Sequence, residues 1–225
     1  NSLFKGVREI TQGAADADFF THPAFNVGIR EITQRDLTYD ILIVQSQIKA
    51  ATGATVYGPA GIEGVDRVLS GGDRFDFAGR QVDVIHTPGH TMDMLNFHIT
   101  SEGIVFAGDT LFVMGCGRLF EGDGPMMWES LQKLMALPPE TTVYCAHEYT
   151  QANAAFAAHA DPDNAALSEY VEEIAQRRAA GEWTVPFPLR RELVTNPFLR
   201  ADDAAIQARW GGKTPPETFA ALRAA

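Results

Sequence analysis

The sequence predicts a mixed α/β domain followed by a small helical domain. Residues 50–150 contain short apolar and β-branched runs separated by turn residues, whereas alanine-rich helical patterns dominate after residue 150. The chain has 225 residues, 45% of them apolar, which is enough for one large domain with an appendage. We place the boundary at the change of composition, with one domain over 1–160 and a helical domain over 161–225.

The strand predictions rest on short apolar runs and on the turns between them. Glycine-containing turns at Gly79-Arg80 and Ser101-Glu102-Gly103 indicate two hairpins. The predicted strands are residues 54–57, the hairpin of 74–77 and 81–85, the hairpin of 95–99 and 104–107, and the run 143–145.

The helix predictions rest on apolar spacing and on start and stop signals. Met127, Leu131 and Leu134 recur at helical spacing before Pro138-Pro139 ends the pattern. Asp161-Pro162-Asp163 is typical of a helix start. The predicted helices are residues 125–137, 151–160, 161–180, 201–210 and 216–225.

The charge balance restricts the classes of partner. A net charge of −11 argues against a nucleic-acid partner, because phosphate binding needs a basic surface. It permits a small anionic substrate, which needs only a few local Arg or Lys side chains. The two cysteines form no Cys-x-x-Cys pair and no disulfide framework. We expect a cytoplasmic protein without a signal peptide, a transmembrane helix or a membrane partner.

Three turns that follow apolar runs carry candidate metal ligands. They are His90 in the segment 86–91, Asp109 in Gly108-Asp109-Thr110, and His147 in the segment 145–149. Ligands at the ends of several strands of one sheet can converge, and imidazole with carboxylate suits zinc, iron or manganese. We predict that these three side chains line one metal site. The alternative is three loop residues that cap turns.

Other reactive side chains have simpler interpretations. We expect His86 to shape its turn, and His98 and His159 to be structural. Glu148 is either a general base or a residue that orients the neighbouring ligand. Cys116 would need a neighbouring base to act as a nucleophile, and the sequence shows none.

At these residues the chain resembles the metallo-β-lactamase fold superfamily and, within it, the glyoxalase II (hydroxyacylglutathione hydrolase) family. The resemblance covers roughly residues 48 to 225, and the Gly-Cys-Gly-Arg, His-Glu-Tyr-Thr and Asn-Pro-Phe stretches are specific to this branch. The segments that carry it are residues 49–54, 56–58, 86–91, 106–112, 115–122, 143–150, 161–167, 184–186 and 195–200.

The resemblance implies a four-layer αββα sandwich with a small helical C-terminal domain, and a dinuclear site. His90 would bind one metal, His147 the other, and Asp109 would bridge them. The metal would be Zn²⁺, with iron or manganese as alternatives, at one or two ions per chain. The positions that match contacts with a glutathione thioester are Arg118, Phe120, Tyr149 and Arg223. Taken alone, the two arginines are solvated charges or carboxylate ligands.

The chain departs from the family pattern in its first 48 residues, which are atypical for the family. The motif Thr-His-x-His-x-Asp-His is not found; an ungapped alignment places it on residues 35–41, where only Asp40 agrees, and a looser one offers His22. Asp93-Met94 replaces the usual Gly-His, and Phe120 replaces a Tyr that some members carry. Three ligands can still hold one catalytic zinc with water in the fourth position.

Three functions compete at this point. The first is hydrolysis of S-(2-hydroxyacyl)glutathione to glutathione and a 2-hydroxy acid such as lactate. The second is a mononuclear-iron dioxygenase acting on glutathione persulfide, because two His and one carboxylate form the triad of iron oxygenases. The third is a non-catalytic relative that retains a thiol ligand. We expect a monomer in each case.

Overall fold

The computed structural model describes residue 49 and residues 53–225. The chain divides into two compact units, one ending at Leu69 and one spanning Ser70–Ala225. The described part of the first unit contains one parallel pair of short strands, β1 (Tyr57–Gly58) and β2 (Arg67–Val68). The strand predicted at 54–57 is therefore wrong apart from Tyr57. Val56 O accepts from the backbone N of Asp66 at 2.8 Å and of Arg67 at 3.1 Å, but Val56 N donates to the Asp66 carboxylate at 2.9 Å, so its acceptor is a side chain and not a strand backbone.

The second unit is built on a six-stranded sheet. Its strands are β3 (Arg74–Phe77), β4 (Arg80–His86), β5 (Leu95–Ile99), β6 (Ile104–Gly108), β9 (Thr142–Cys145) and β10 (Phe187–Pro188). Their spatial order is β10-β9-β6-β5-β4-β3, and all neighbouring strands are antiparallel except β6 and β9, which run parallel. A separate antiparallel pair is formed by β7 (Leu111–Phe112) and β8 (Gly115–Cys116).

Both predicted hairpins are confirmed. The β3–β4 turn consists of Ala78 and Gly79, whose φ angles are 52° and 75°. Two positive φ angles define the turn whose twist matches a two-residue hairpin. Arg80, which we placed in the turn, is instead the first residue of β4. The β5–β6 connection is a 3₁₀ turn over Thr100–Glu102, which ends at Gly103.

The C-terminal part is helical, as predicted. The helices are α1 (Gly124–Met135), α2 (Thr150–Ala160), α3 (Ala165–Ala179), α4 (Leu189–Thr195), α5 (Ala204–Trp210) and α6 (Pro215–Ala224). The α/β class with a helical C-terminal part is thereby confirmed, while the domain boundary at residue 160 stays a prediction. No helix in the described residues combines the length and apolar character that a membrane span requires.

Two predicted helix starts are wrong, for the same physical reason. The third helix begins at Ala165 instead of Asp161, because Asn164 caps it and the Asp161 carboxylate is paired with Arg200. The helix predicted over 201–210 begins at Ala204 instead of 201, because the Asp203 side chain accepts a hydrogen bond from Ala205 N at 2.8 Å. In each case a side-chain cap sets the first turn.

The sheet and the C-terminal helices share one hydrophobic core. Its buried residues run from Val105 in β6 to Leu222 in α6. The rings of Trp128 and Phe219, from α1 and α6, lie 6.4 Å apart. Elements far apart in sequence therefore meet without an intervening solvent layer, and the strand ends of the sheet are supported by the helices.

Asn164→Ala is expected to lower the free energy of unfolding by about 1–2 kcal/mol. The Asn164 side chain accepts from Leu167 N at 3.1 Å and donates to Val194 O at 2.9 Å, so the substitution removes a cap and a tie to α4. Urea unfolding would measure the loss. Asn164→Ser keeps a cap acceptor and should recover part of it; equal midpoints for Asn164→Ala and the parent chain would contradict the assignment.

Glu192 is fully buried in α4, and this burial raises its pKa to about 8. Because the folded-state pKa lies above the ordinary value of 4.5, the stability that this group contributes is fully present below pH 4.5. That stability is lost as the pH rises through 8, by at most about 1.4 kcal/mol per pH unit. Glu192→Gln removes the titration.

As the pH rises from 5 to 8, the free energy of unfolding of the parent chain should therefore fall relative to that of Glu192→Gln. Urea unfolding at each pH unit would measure it. Other titrating groups, such as His98, are common to both chains and cancel in the difference. Parallel stability curves across this range would show that Glu192 does not titrate as described.

Candidate metal centre

His90 lies in a tight turn between β4 and β5. The turn is closed by hydrogen bonds from Thr87 N to Met94 O at 2.9 Å and from Gly89 N to Thr91 O at 3.1 Å. Gly89 has a φ of 146°, and a Cβ there would lie 2.6 Å from Sδ and 3.1 Å from Cα of Met127 in α1. Only glycine allows this turn to approach the helix so closely, and the approach places the His90 ring.

The tautomer of His90 follows from its hydrogen bond. Nδ1 lies 2.9 Å from the Arg118 carbonyl oxygen, which can only accept, so Nδ1–H donates. The other nitrogen, Nε2, is then a lone-pair donor to a metal, and it lies 3.5 Å from Asp109 Oδ2. The hydrogen bond to the Arg118 carbonyl thus leaves Nε2 of His90 unprotonated and free to bind a metal.

Asp109 and His147 are brought together by the parallel pairing of β6 and β9. The ends of these strands are in register at Gly108 and Cys145, and Ala146 N donates to Gly108 O at 2.7 Å. His147 Nε2 lies 3.5 Å from Asp109 Oδ1. The two imidazoles therefore face different oxygens of one carboxylate. Asp109 is 6% exposed, and its Oδ1 has no hydrogen-bond partner within the described part of the chain.

These distances fit metal coordination. Two ligand atoms on a tetrahedral zinc, each about 2.1 Å from the ion, are about 3.4 Å apart. Each imidazole with its carboxylate oxygen matches that separation, and a buried carboxylate oxygen without a donor is a site that a cation would stabilise. In residue 49 and residues 53–225 no three His, Cys, Asp or Glu side chains are placed to hold one ion. The described side chains instead form two His–Asp pairs, His90–Asp109 and His147–Asp109, and each pair has the spacing of two ligands on one ion.

Gly117 lets the loop after β8 pack against both ligand turns. A Cβ on Gly117 would lie 2.0 Å from the Asp109 carbonyl oxygen and 3.2 Å from His90 Nδ1. No side chain fits there unless the backbone of the site moves. The Gly-Cys-Gly-Arg stretch thus packs against both ligand turns and also provides the Arg118 carbonyl.

Two exposed aromatic rings flank the two imidazoles. The Phe120 ring, with the residue 69% exposed, lies 4.9 Å from the His90 ring. The Tyr149 ring stacks on His147 at 4.9 Å with an interplanar angle of 15°. The structure therefore brings each of these two sequence-predicted contacts to a different imidazole. Both remain accessible to a ligand.

The two predicted arginines are attached to the same loop by different means. Arg118 belongs to it and has an exposed side chain. Arg223, in α6, donates from Nη1 to Cys116 O at 3.3 Å and lies 5.3 Å above the Phe198 ring. The weak metal candidates His22 and Asp40 lie outside the described residues.

The interpretations of the other histidines are confirmed. His86 Nε2–H donates to Met92 O at 2.8 Å and so shapes the ligand turn. His98 lies 3.4 Å from Thr100 Oγ1, and burial lowers its pKa. The His159 ring packs edge-on against Trp210. None of these three rings contributes to the pairs around Asp109.

Glu148 and Cys116 are not poised for proton transfer or attack. Glu148 Oε1 accepts from Thr184 N at 2.7 Å and from Thr184 Oγ1 at 2.5 Å, and it lies 3.4 Å from Arg178 Nη1. Its carboxylate is therefore committed to the helical part. Burial raises the pKa of Cys116 to about 12, so its thiol stays protonated.

Sequence reasoning missed a buried polar set behind Asp109. Thr110 Oγ1 lies 2.8 Å from Thr87 Oγ1 and accepts from Asn96 Nδ2 at 3.3 Å. The signal that could have found it is the threonine in each of the two ligand-bearing turns. These contacts tie the turn that carries His90 to the turn that carries Asp109.

Gly117→Ala is expected to destabilise the fold by about 3 kcal/mol or more, because the added methyl overlaps backbone that cannot yield. Chemical denaturation would measure the loss. Gly103→Ala is the matched control, since a Cβ there meets nothing within 4 Å although φ is 62°. A Gly117→Ala loss no greater than that of the control would contradict the close packing.

Comparisons with known proteins agree with this geometry. A model of the metallo-beta-lactamase superfamily matches residues 16–147, and a model of the hydroxyacylglutathione hydrolase C-terminus matches residues 148–225. A hydroxyacylglutathione hydrolase of Erythrobacter litoralis is 56% identical over 180 residues, which cover 79% of this chain and 72% of the relative. One of Rhizobium meliloti is 49% identical over 176 residues, 76% of this chain and 69% of the relative.

The structure of ETHE1 from Myxococcus xanthus superposes with a TM-score of 0.56 at 22% identity, covering 88% of this chain and 81% of that one. At this identity the likeness shows the fold alone, and the predicted metallo-β-lactamase fold is confirmed. Membership of the superfamily implies a divalent metal. The family models and the relatives together show that this chain belongs to the hydroxyacylglutathione hydrolase family of the metallo-β-lactamase superfamily.

Proposed function

We propose that this chain hydrolyses S-(2-hydroxyacyl)glutathione thioesters to glutathione and a 2-hydroxy acid such as lactate. The observation that carries the proposal is the pair of imidazoles, each 3.5 Å from its own oxygen of the buried Asp109 carboxylate. Family membership supplies the substrate class, since both relatives are named hydroxyacylglutathione hydrolases.

His90, Asp109 and His147 are the proposed metal ligands, with zinc as the first choice and iron or manganese as alternatives. The proposal is one or two ions per chain, since each imidazole faces a different carboxylate oxygen while no three donors of the described residues are placed around one ion. When bound, the metal would supply a water that is acidic at neutral pH and would polarise the thioester carbonyl. The protein fixes the donor atoms for this chemistry through the Arg118 carbonyl and the β6–β9 pairing.

The substrate contacts are assigned by chemistry and exposure. Glutathione is anionic, and in a protein with a net charge of −11 its carboxylates need local cations, which Arg118 and Arg223 supply. Tyr149 offers a hydroxyl beside His147, while Phe120 offers only an apolar ring beside His90.

The leaving group explains why no general acid is needed. Hydrolysis adds water to the acyl carbon and breaks the C–S bond, releasing the thiolate of glutathione, a good leaving group. Neither Glu148, held by Thr184, nor the protonated Cys116 thiol is available to take part. The reaction can therefore depend on the metal ligands and the substrate contacts alone.

The other two functions are outcomes of the same experiment. A structural likeness at 22% identity shows the fold alone and favours no activity. A non-catalytic relative would bind glutathione without metal. The monomeric state and the cytoplasmic location stay predictions, as do the absence of a nucleic-acid or membrane partner.

The test measures the metal content of the chain and its hydrolysis of S-lactoylglutathione. The hydrolysis is monitored as the loss of the thioester absorbance. A chelator should abolish the activity and zinc should restore it. Asp109→Asn should lower kcat/KM by about 100-fold or more and reduce zinc per chain, because a neutral amide is a poorer ligand for a divalent cation than a carboxylate. Asp202→Asn, at an exposed position, is the matched control.

Three results would overturn the proposal. Iron with oxygen uptake on glutathione persulfide would assign the dioxygenase. Glutathione binding without metal would assign the non-catalytic relative. Hydrolysis that survives both the chelator and Asp109→Asn would place the chemistry elsewhere in the molecule.

A further inference from the structure

The segment 112–118, named here the support loop, is held in an unusual conformation. Met114 has a φ of 50°, which is rare for a residue with a side chain. A Cβ on Gly115 would lie 2.5 Å from Asn153 Nδ2, and one on Gly117 would lie 2.0 Å from Asp109 O. The loop is thus compressed between a helix on one side and a ligand turn on the other. Such a conformation persists only if its surroundings fix it.

Side chains from beyond residue 150 bind five of the seven residues of the support loop. Five consecutive residues, 112–116, each have one backbone polar atom bound by such a side chain. Asn196 Nδ2 donates to Phe112 O (3.3 Å) and Gly115 O (3.0 Å), Asn153 Nδ2 donates to Val113 O (2.9 Å), Glu192 Oε2 accepts from Met114 N (2.7 Å), and Arg223 Nη1 donates to Cys116 O (3.3 Å).

Asn196 and Glu192 form the centre of this set. Both are fully buried, and Asn196 Nδ2 also donates to Glu192 Oε2 at 3.0 Å. Asn196 Oδ1 accepts from Phe198 N at 3.0 Å, which sets the direction of its amide. A fully buried carboxyl and amide are costly to bury, and their bonds converge on the support loop.

The support loop leads directly to a ligand of the metal centre. Two residues after Cys116, the Arg118 carbonyl accepts from His90 Nδ1 at 2.9 Å. This bond leaves Nε2 of His90 as the lone-pair donor beside Asp109. A shift of the loop would change the direction of that carbonyl and with it the tautomer and orientation of the imidazole.

We infer that Asn196 and Glu192 are positioning residues for His90, acting through the support loop and the Arg118 carbonyl. The inference rests on the proposed function only in taking His90 as a metal ligand. The helical part then has a second task besides offering Arg223 to a substrate. It sets which nitrogen of a distant imidazole faces the metal.

The first readout is zinc affinity of the full chain, measured by competition with a chromophoric chelator. Asn196→Ala and Glu192→Ala should each weaken zinc binding by about 10-fold or more, the usual effect of losing a partner that orients a ligand. Glu192→Gln keeps an oxygen for Met114 N and should bind zinc like the parent chain. Asn153→Ala, which removes one bond from a partly buried position, should have a smaller effect.

The second readout is the tautomer of His90 in long-range ¹H–¹⁵N spectra, assigned by comparison with His90→Gln. The parent chain should show the Nδ1–H form, and Asn196→Ala should show a mixture of tautomers. A role in folding alone would not move this signal.

Asn164→Ala is the matched control. It removes a half-buried asparagine cap from the same helical part, and none of the hydrogen bonds of Asn164 reaches the support loop. It should lower stability while leaving zinc affinity and the His90 tautomer unchanged. All variants are compared below the urea or temperature range in which they unfold. If Asn196→Ala proves unfolded, Glu192→Ala against Glu192→Gln carries the comparison.

The outcomes separate this inference from the proposed function. Altered zinc affinity and tautomer in Asn196→Ala support it even if the parent chain hydrolyses no thioester. Unchanged zinc affinity and tautomer in a folded Asn196→Ala overturn it even if the parent chain is fully active. If the parent chain binds no zinc, the proposed metal site fails and the tautomer alone decides the positioning role.

Discussion

The contact between the Asp109 carboxylate and two imidazoles is the constraint on which the site depends. A carboxylate that is 6% exposed, with one oxygen lacking a hydrogen-bond donor in the described residues, is unfavourable unless cations lie beside it. The sheet creates this arrangement because β6 and β9 are parallel, so their carboxyl ends meet. Parallel pairing requires a crossover, and the crossover carries β7, β8 and α1. The same connection therefore places the ligands and supplies the support loop.

The remaining parts of the centre act by restricting atoms that are already close. Gly89 and Gly117 remove side chains where two turns and α1 approach each other. The Arg118 carbonyl then fixes the His90 tautomer. None of these features is reactive, yet each determines whether two imidazole nitrogens face one carboxylate.

Much of the fold could be predicted because short stretches of the sequence determine it. The two hairpins follow from glycine turns, and α1 follows from apolar spacing and the Pro138-Pro139 stop. The start of α3 could not be predicted, because Asp161 looks like a cap in sequence but is paired with Arg200, 39 positions away along the chain. The two-residue strands β7, β8 and β10 are too short to carry a pattern, and α4, with seven residues, has no start signal in its own sequence.

The site divides in the same way. His90, Asp109 and His147 could be named because each follows an apolar run in a turn. The residues alone did not show that the two histidines face different oxygens, because strand register decides it; only the family resemblance implied that Asp109 lies between them. Glu192 was missed altogether: a glutamate in a stretch with two arginines reads as surface charge, and only the tertiary fold buries it. Its role at Met114 N is a relation between residues 78 positions apart.

Metal binding and folding should therefore be thermodynamically linked in this protein. A buried carboxylate oxygen without a hydrogen-bond donor raises the free energy of the metal-free fold, and a cation that binds Asp109 lowers it. The effect reaches beyond the ligands, because the support loop contacts Asp109 O and His90 on one face and the side chains of Asn196 and Glu192 on the other. Whatever orders the imidazole favours the loop conformation that the helices bind, and the helices in turn favour the imidazole tautomer that binds metal. The helical part and the metal centre are therefore coupled through the hydrogen bonds of the support loop. The affinity of the centre for a metal should depend on how well the helical part orders that loop.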